Sequence, residues 1–366
     1  MASVISFTGT NIFSLFDFLP PLALILVIGT VMSAREFRLA LWALIWVVIL
    51  LTILGLMQIS GGLSNLHFYK ITNLNSAVGF FSNANHYGVY LLMTIPIVAF
   101  LANYSRNNSY GRQNGPFALC VVAIIAALLG VGISGSLGSY LLIIPIFAAI
   151  LFLSSSTKSK KQIFLTGIII SLIGGLLFDM FVWNGLQSEL TEKFTSIDKT
   201  TRQNMFDNTF EIGKMFFPFG SGPGSFPEAY RLVEGVTRKT IPHAQNDYIE
   251  IFAEFGFLGI MGIFCGLFWV LRLNFQNFFK MNSRGSISNY MLIAVSTVML
   301  HSLFDYSLRT IAVIEVTALK TSVKYSQVQK TCSLEFRKRF RKTILILSKA
   351  FRKLFNSALI FVSMQV

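Results

Sequence analysis

Apolar runs close to the length of a bilayer crossing follow one another along this chain, and nothing else in it constrains folding as strongly. About 20 predominantly apolar residues cross the hydrocarbon core as a helix. Runs of that order occur at Leu15 to Ser33, Leu39 to Ile59, Ala77 to Ala102, Phe117 to Ile133, Ser139 to Leu153, Ile163 to Val182, Tyr248 to Leu271 and Ile287 to Phe304. Ile311 to Leu319 is shorter and contains Glu315, while Thr343 to Val366 is interrupted by Lys349, Arg352 and Lys353 and suits a helix lying in the interface. In hydrocarbon each segment must satisfy its own backbone, so such runs fold as helices. The expected fold is therefore an all-α polytopic transmembrane bundle of about eight to ten spans. With 54% hydrophobic and 13% charged residues, the chain cannot cover its apolar surface as a soluble globule.

Charge placement sets the orientation, because cytoplasmic loops hold the excess of Lys and Arg. The loops carrying Arg35 and Arg38, Arg106 and Arg112, Lys158, Lys160 and Lys161, and Arg272, Lys280 and Arg284 are basic, with Glu36 their only acid, and they alternate as inner loops. The run Arg337-Lys338-Arg339 with Arg341 and Lys342 also falls inside, against anionic lipid. The formal charge of +14 is thus a topology signal and a lipid contact, and nucleic acid is not an expected partner. No Lys or Arg precedes Arg35, so the first run is expected to be a retained span with its N-terminus outside.

On this topology the long polar segment from Trp183 to Asp247 faces outward. It mixes Glu189, Glu192, Asp198, Asp207, Glu211, Glu228 and Glu234 with Lys193, Lys199, Arg202, Lys214, Arg231, Arg238 and Lys239, so it is nearly neutral and its arginines need a local reason. The chain is expected to divide into transmembrane helices over 1–182, an outward-facing loop with site residues over 183–247, further transmembrane helices over 248–320 and a basic cytoplasmic or interfacial tail over 321–366.

The same orientation gathers the histidines on the outer side: His67 in an outer loop, His86 just inside the next span, His243 at the end of the polar segment and His301 near the outer end of its span. Each alone reads as a polar residue at an interface; together they point to a site on that face. Cys120 and Cys265 lie within spans and Cys332 in an inner segment, so neither a disulfide nor a zinc site is expected. Asp247, Glu250 and Glu254 share one helical face, a stripe suited to capping and packing, with Asn246 or Asp247 at the helix start. Gly220, Gly222 and Gly224 follow no strand and surround Pro223, which favours a tight turn over a phosphate nest. Arg202 suits either phosphate binding or an ion pair with Asp198 or Asp207, and Asp305 and Arg309, four apart, suit either an ion pair or substrate contact.

An ordered set of motifs carries a resemblance. Gly55-Leu56-Met57-Gln58, Gly79-Phe80-Phe81-Ser82-Asn83-Ala84-Asn85-His86, Thr201-Arg202, Pro218-Phe219-Gly220-Ser221-Gly222-Pro223-Gly224-Ser225-Phe226, His243-Ala244-Gln245-Asn246-Asp247-Tyr248 with Glu254-Phe255-Gly256-Phe257-Leu258-Gly259, and His301-Ser302-Leu303-Phe304-Asp305-Tyr306-Ser307-Leu308-Arg309 together resemble the bacterial O-antigen ligase and polysaccharide polymerase family. The resemblance implies an inner-membrane glycosyltransferase with a type C-like fold and a periplasmic active face, working without metal or cofactor. Its donor would be an undecaprenyl-pyrophosphate-linked glycan, its acceptor a glycan or lipid, and membrane lipids its surroundings. By the same resemblance His243 and Arg202 are the catalytic candidates, and Gln245, Asn246, Arg231, Arg238 and Arg309 the substrate-binding ones. Arginine forks onto phosphate oxygens and histidine serves as a base near neutral pH, so the residue types fit that chemistry.

Two departures stand out. The family histidine that precedes Asn and the later glycine pair is Gln245 here, leaving His243 as the candidate base. In Ser134-Gly135-Ser136-Leu137-Gly138-Ser139, Leu137 replaces a family arginine. The chain also begins several spans later than the family pattern. These departures keep a non-catalytic or truncated member in view as the alternative, alongside a lipid-linked glycan transporter. A transporter is expected to carry charges deep within several spans, whereas Asp179, His86, His301 and Glu254 sit near outer ends.

Overall fold

Apolar runs become helices wherever the computed structural model describes them, which is over residues 34–60, 66–69, 73, 76–108, 115–154, 199–233, 241–279 and 287–309. The elements are α1 (Ala34–Ile59), α2 (Ala84–Asn108), α3 (Gly115–Ser134), α4 (Leu137–Ser154), α5 (Lys199–Met215), α6 (Phe226–Tyr230), α7 (Asp247–Phe279) and α8 (Ile287–His301), followed by a 3-10 turn at Ser307–Arg309. Among the described residues there is no strand, and α1, α2, α3, α4 and the first 20 residues of α7 are long and apolar enough to cross a membrane. The protein is a multi-pass helical membrane protein. The runs at Leu15 to Ser33, Ile163 to Val182 and Ile311 to Leu319, and the tail from Thr343, lie outside the described residues.

Helix α2 is the centre of the bundle. Within the crossing windows, 83% of its residues are buried, against 33% in each of α1, α3 and α4 and 22% in α7. It packs on α1, α3, α4 and α8, and contributes Tyr87, Leu91, Leu92, Met93, Ile95, Ile97 and Leu101 to the core. Small residues bring its neighbours close: a Cβ on Gly130 would collide with Leu91, and one on Gly55 would lie 2.5 Å from the Tyr87 hydroxyl. Polar groups between helices are satisfied locally, as membrane packing requires, with Tyr87 donating to the Leu51 carbonyl at 3.2 Å and Thr52 to that of Ala126 at 3.0 Å. Around this centre the outward faces stay apolar, for example Leu39, Trp46 and Leu50 on α1 and Val122, Ile125 and Leu129 on α3.

Two of the runs give up helix at one end. The run from Ala77 to Ala102 becomes helical only at Ala84, because residues 77–83 form a turn held by Gln58. Gln58 Oε1 accepts from the Val78 and Gly79 amides at 2.9 and 2.8 Å, and its Nε2 donates to the Leu66 and Gly79 carbonyls at 3.0 and 2.9 Å. Asn83 then caps α2 by accepting from the Asn85 amide at 2.8 Å. The run from Ile287 to Phe304 ends its helix at His301 and turns.

The run from Tyr248 to Leu271 is not one straight helix. Gly256, at φ 57° and ψ −137°, breaks α7 in two. At the break the 216–222 turn inserts its backbone, with the Phe257 amide donating to Pro218 O at 2.8 Å and the Gly222 amide to Glu254 O at 2.8 Å. Helices α5 and α6 pack on the first part of α7 around a second small core that includes Met205, Ile212, Phe226, Tyr230 and Ile249.

Candidate functional site

The first half of α7 begins with a division of labour between neighbours. Asn246 Oδ1 accepts from the Tyr248 and Ile249 amides at 3.0 and 3.2 Å, so it is the cap, and the carboxylates after it are released from that task. Asp247, Glu250 and Glu254, spaced by three and four residues, all point inward and are buried. Each accepts a backbone amide from a different segment: Leu308 to Asp247 at 2.7 Å, Ala244 to Glu250 at 2.7 Å and Phe226 to Glu254 at 3.1 Å. The acidic stripe thus pins three loops to one helix through charge-assisted bonds.

Glu250 has a second partner. Its Oε1 lies 3.1 Å from His243 Nδ1. An ionised carboxylate can only accept, so this contact places a hydrogen on Nδ1 and, in the neutral tautomer, leaves the lone pair on Nε2. The Glu250 side chain is fully buried while that of His243 is 31% exposed, which presents a histidine oriented from behind and open in front.

The His243 ring stacks on Tyr306 at 4.4 Å between centroids, and His86 meets the same Tyr306 edge-on at 4.6 Å. Asn83 donates to the Tyr306 hydroxyl at 3.0 Å. Burial pushes that hydroxyl above the usual phenol range, the Asn83 bond pulls the other way, and the carboxylates of Asp305, Glu250 and Asp247 add to the rise. Tyr306 therefore stays protonated at neutral pH. Asp305 accepts from the Tyr306 amide at 2.8 Å and places its other oxygen 4.0 Å from His86 Nε2.

A third histidine closes the floor. His301 Nδ1 is 2.7 Å from Ser307 Oγ, and its Nε2 is 3.4 and 3.5 Å from the hydroxyls of Ser139 and Ser136. Ser136 lies in the turn between α3 and α4, where Gly135 takes φ 70°, and Ser139 in the first turn of α4. Gly138 leaves the imidazole its room, since a Cβ there would lie 3.0 Å from His301 Nε2. Leu137 opens α4, half-buried beside these groups.

Of the residues singled out from sequence, His243 and His86 are brought together on Tyr306, His301 joins Ser307, Ser136 and Ser139, and His67 lies in the segment after α1. Gln245 occupies the left-handed region at φ 54°, in the turn before α7. Asn246 is committed to the fold at both ends of its amide, since Nδ2 also donates to Leu303 O at 2.9 Å. Arg231 is exposed just beyond α6. Arg202 lies on α5 and Arg309 in the 3-10 turn by their backbones, while both side chains, and Arg238 altogether, lie outside the described residues. Gly220, Gly222 and Gly224 take φ 79°, 110° and 68° in a turn whose Ser221 and Gly222 amides donate to Ala253 and Glu254 carbonyls, so those amides do not form an anion nest.

Sequence reasoning missed the partners. Glu250 stood in the capping stripe, and Tyr306, Asn83, Ser136 and Ser139 were not weighed as site residues. The one available signal was that each sits inside or beside a motif already noticed, as Tyr306 does in the stretch after His301.

Residues 122–264 match the family model described as O-Antigen ligase. Comparisons with curated proteins and with solved structures give no match. The matched stretch runs from within α3 through α4, α5 and α6 and includes His243, Glu250 and the break in α7.

Proposed function

We propose, for a chain whose residues 122–264 match the O-Antigen ligase family model, a metal-independent glycosyltransferase that acts at the periplasmic face of the bacterial inner membrane. It transfers or polymerises a glycan carried on undecaprenyl pyrophosphate. The observation that carries this reading is the half-exposed His243 held through Nδ1 by the buried Glu250 carboxylate. In the reaction an acceptor hydroxyl gives its proton to His243 Nε2 while its oxygen bonds to the anomeric carbon. The bond from that carbon to the pyrophosphate oxygen breaks, and the electron pair leaves with the carrier. Glu250 stabilises the imidazolium that forms. Arg202, with Arg231, Arg238 and Arg309, balances charge on the departing pyrophosphate, and Gln245 and Asn246 border the acceptor.

Membranes reconstituted with a lipid-linked donor and an acceptor test this. His243→Ala should lose about 10²- to 10⁴-fold in turnover while donor binding persists. Arg202→Lys should remain impaired by about 1 to 3 kcal/mol of transition-state stabilisation, because it keeps charge without the fork. Undiminished turnover in His243→Ala would overturn the assignment of the base. In a deletion strain, loss of long chains with single units still exported indicates a polymerase, and accumulated long lipid-linked chains indicate a ligase. Gln245 and Leu137, standing where the family pattern has His and Arg, favour a second reading as a non-catalytic glycan-binding member. Gln245→His switching on turnover in an otherwise inactive parent would support it.

A further inference from the structure

Helix α5 is divided three ways around its circumference. Met205, Thr209 and Ile212 are buried toward the protein, and Gly213 lies so close to the Phe252 ring of α7 that a Cβ could not be added. Asp207, Glu211 and Lys214 form an exposed charged flank, with Lys214 bonded to Glu211 at 2.6 Å. Phe206 and Phe210, four residues apart, lie on the remaining flank between the two, and both are exposed. A helix with water on its whole outer side gains nothing from that third flank.

The phenylalanine flank is continuous with a membrane-crossing surface. Phe206 and Phe210 line an almost wholly apolar groove of about 650 Å³ with Ile249, Phe252, Ile260 and Ile263 of α7. Beside the groove, α7 exposes Phe257, Leu258, Met261 and Phe264 on a stretch that is apolar and long enough to cross a membrane. Just past the end of α5, Phe217 and Phe219 are exposed as well. At the border between the flanks, Lys214 Nζ sits 4.8 Å from the Phe210 ring centroid, the arrangement of an amine held at the edge of an apolar layer.

We infer that α5 lies in the membrane interface with Phe206, Phe210, Phe217 and Phe219 immersed, and that lipid hydrocarbon chains fill the groove between α5 and α7. The occupant is assigned by continuity, because the groove opens onto the same apolar surface that α7 presents to the bilayer. The inference does not depend on the catalytic assignment. It makes α5 an anchored element that holds the segment leading to His243 at the level of the lipid headgroups.

The test uses the full chain in vesicles of phosphatidylethanolamine and phosphatidylglycerol, with Cys120, Cys265 and Cys332 replaced by serine. Nitroxide labels are placed through Phe206→Cys, Phe210→Cys, Asp207→Cys and Glu211→Cys. Labels at 206 and 210 should collide at least about twofold more with oxygen than with a water-soluble nickel complex, at a depth of about 5–10 Å, and labels at 207 and 211 should show the reverse. Equal nickel accessibility at all four positions would overturn the inference. So would shielding from both reagents with spin–spin broadening, which indicates a second copy on that flank. A photoreactive benzoyl-phenylalanine at 206 in the otherwise native chain gives an independent reading: cross-linking to phospholipid supports the placement, and cross-linking to another chain overturns it.

Discussion

The two halves of α7 share one helix and obey different rules. Before Gly256 the helix buries three carboxylates, each holding a backbone amide of another segment; after it, Phe257, Leu258, Met261 and Phe264 are exposed and apolar. The first half is fixed by directional bonds that have few substitutes, and the second by contact with a solvent of hydrocarbon that accepts many shapes. The break at Gly256 separates a half that pins other segments of the chain from a half that turns apolar side chains outward.

If that contrast is right, substitutions along α7 should fall in a graded series. Glu250→Ala should cost most, about 3 kcal/mol, because it strands the Ala244 amide and frees His243. Thermal unfolding in detergent measures this, and a loss below 1 kcal/mol would break the contrast. Gly256→Ala comes next, at about 2 kcal/mol, since it forces a side chain into φ 57° against the Pro218 carbonyl. Glu254→Gln keeps an acceptor for the Phe226 amide but loses its charge, and should cost about 1 kcal/mol by the same assay. Met261→Ala, on the lipid side, should stay within about 0.5 kcal/mol when unfolding is followed in lipid nanodiscs. A reversal of the last two would show that the second half of the helix packs against protein.

What could be read in advance follows the same line. The helices from Leu39, Phe117 and Ser139 were legible because hydrocarbon dictates both length and apolarity, two properties that sequence displays directly. Their ends were less legible, since Gln58 must reach across to the Val78 and Gly79 amides to stop the Ala77 run from being helical. The O-antigen ligase resemblance was legible from ordered motifs, and the family match over 122–264 bears it out. The site was legible by neighbourhood rather than by contact. His243 could be picked out, but nothing in the order of residues says that the turn at Gln245 folds Glu250 back onto its imidazole, or that Tyr306 meets two histidines far apart in the chain. Such contacts depend on backbone direction at single residues, which composition and spacing do not encode.

The burial of α2 bears on how the chain enters the membrane at all. It is the least apolar of the five crossing helices and the one most enclosed by its neighbours. A segment chosen for its fit to protein is a weak candidate for leaving the insertion machinery alone, and α2 carries Asn83 and His86 at its threshold. Its commitment to the bilayer is therefore expected to wait on the neighbours that enclose it, α3 and α8 above all, so that biogenesis is cooperative across the bundle rather than one crossing at a time.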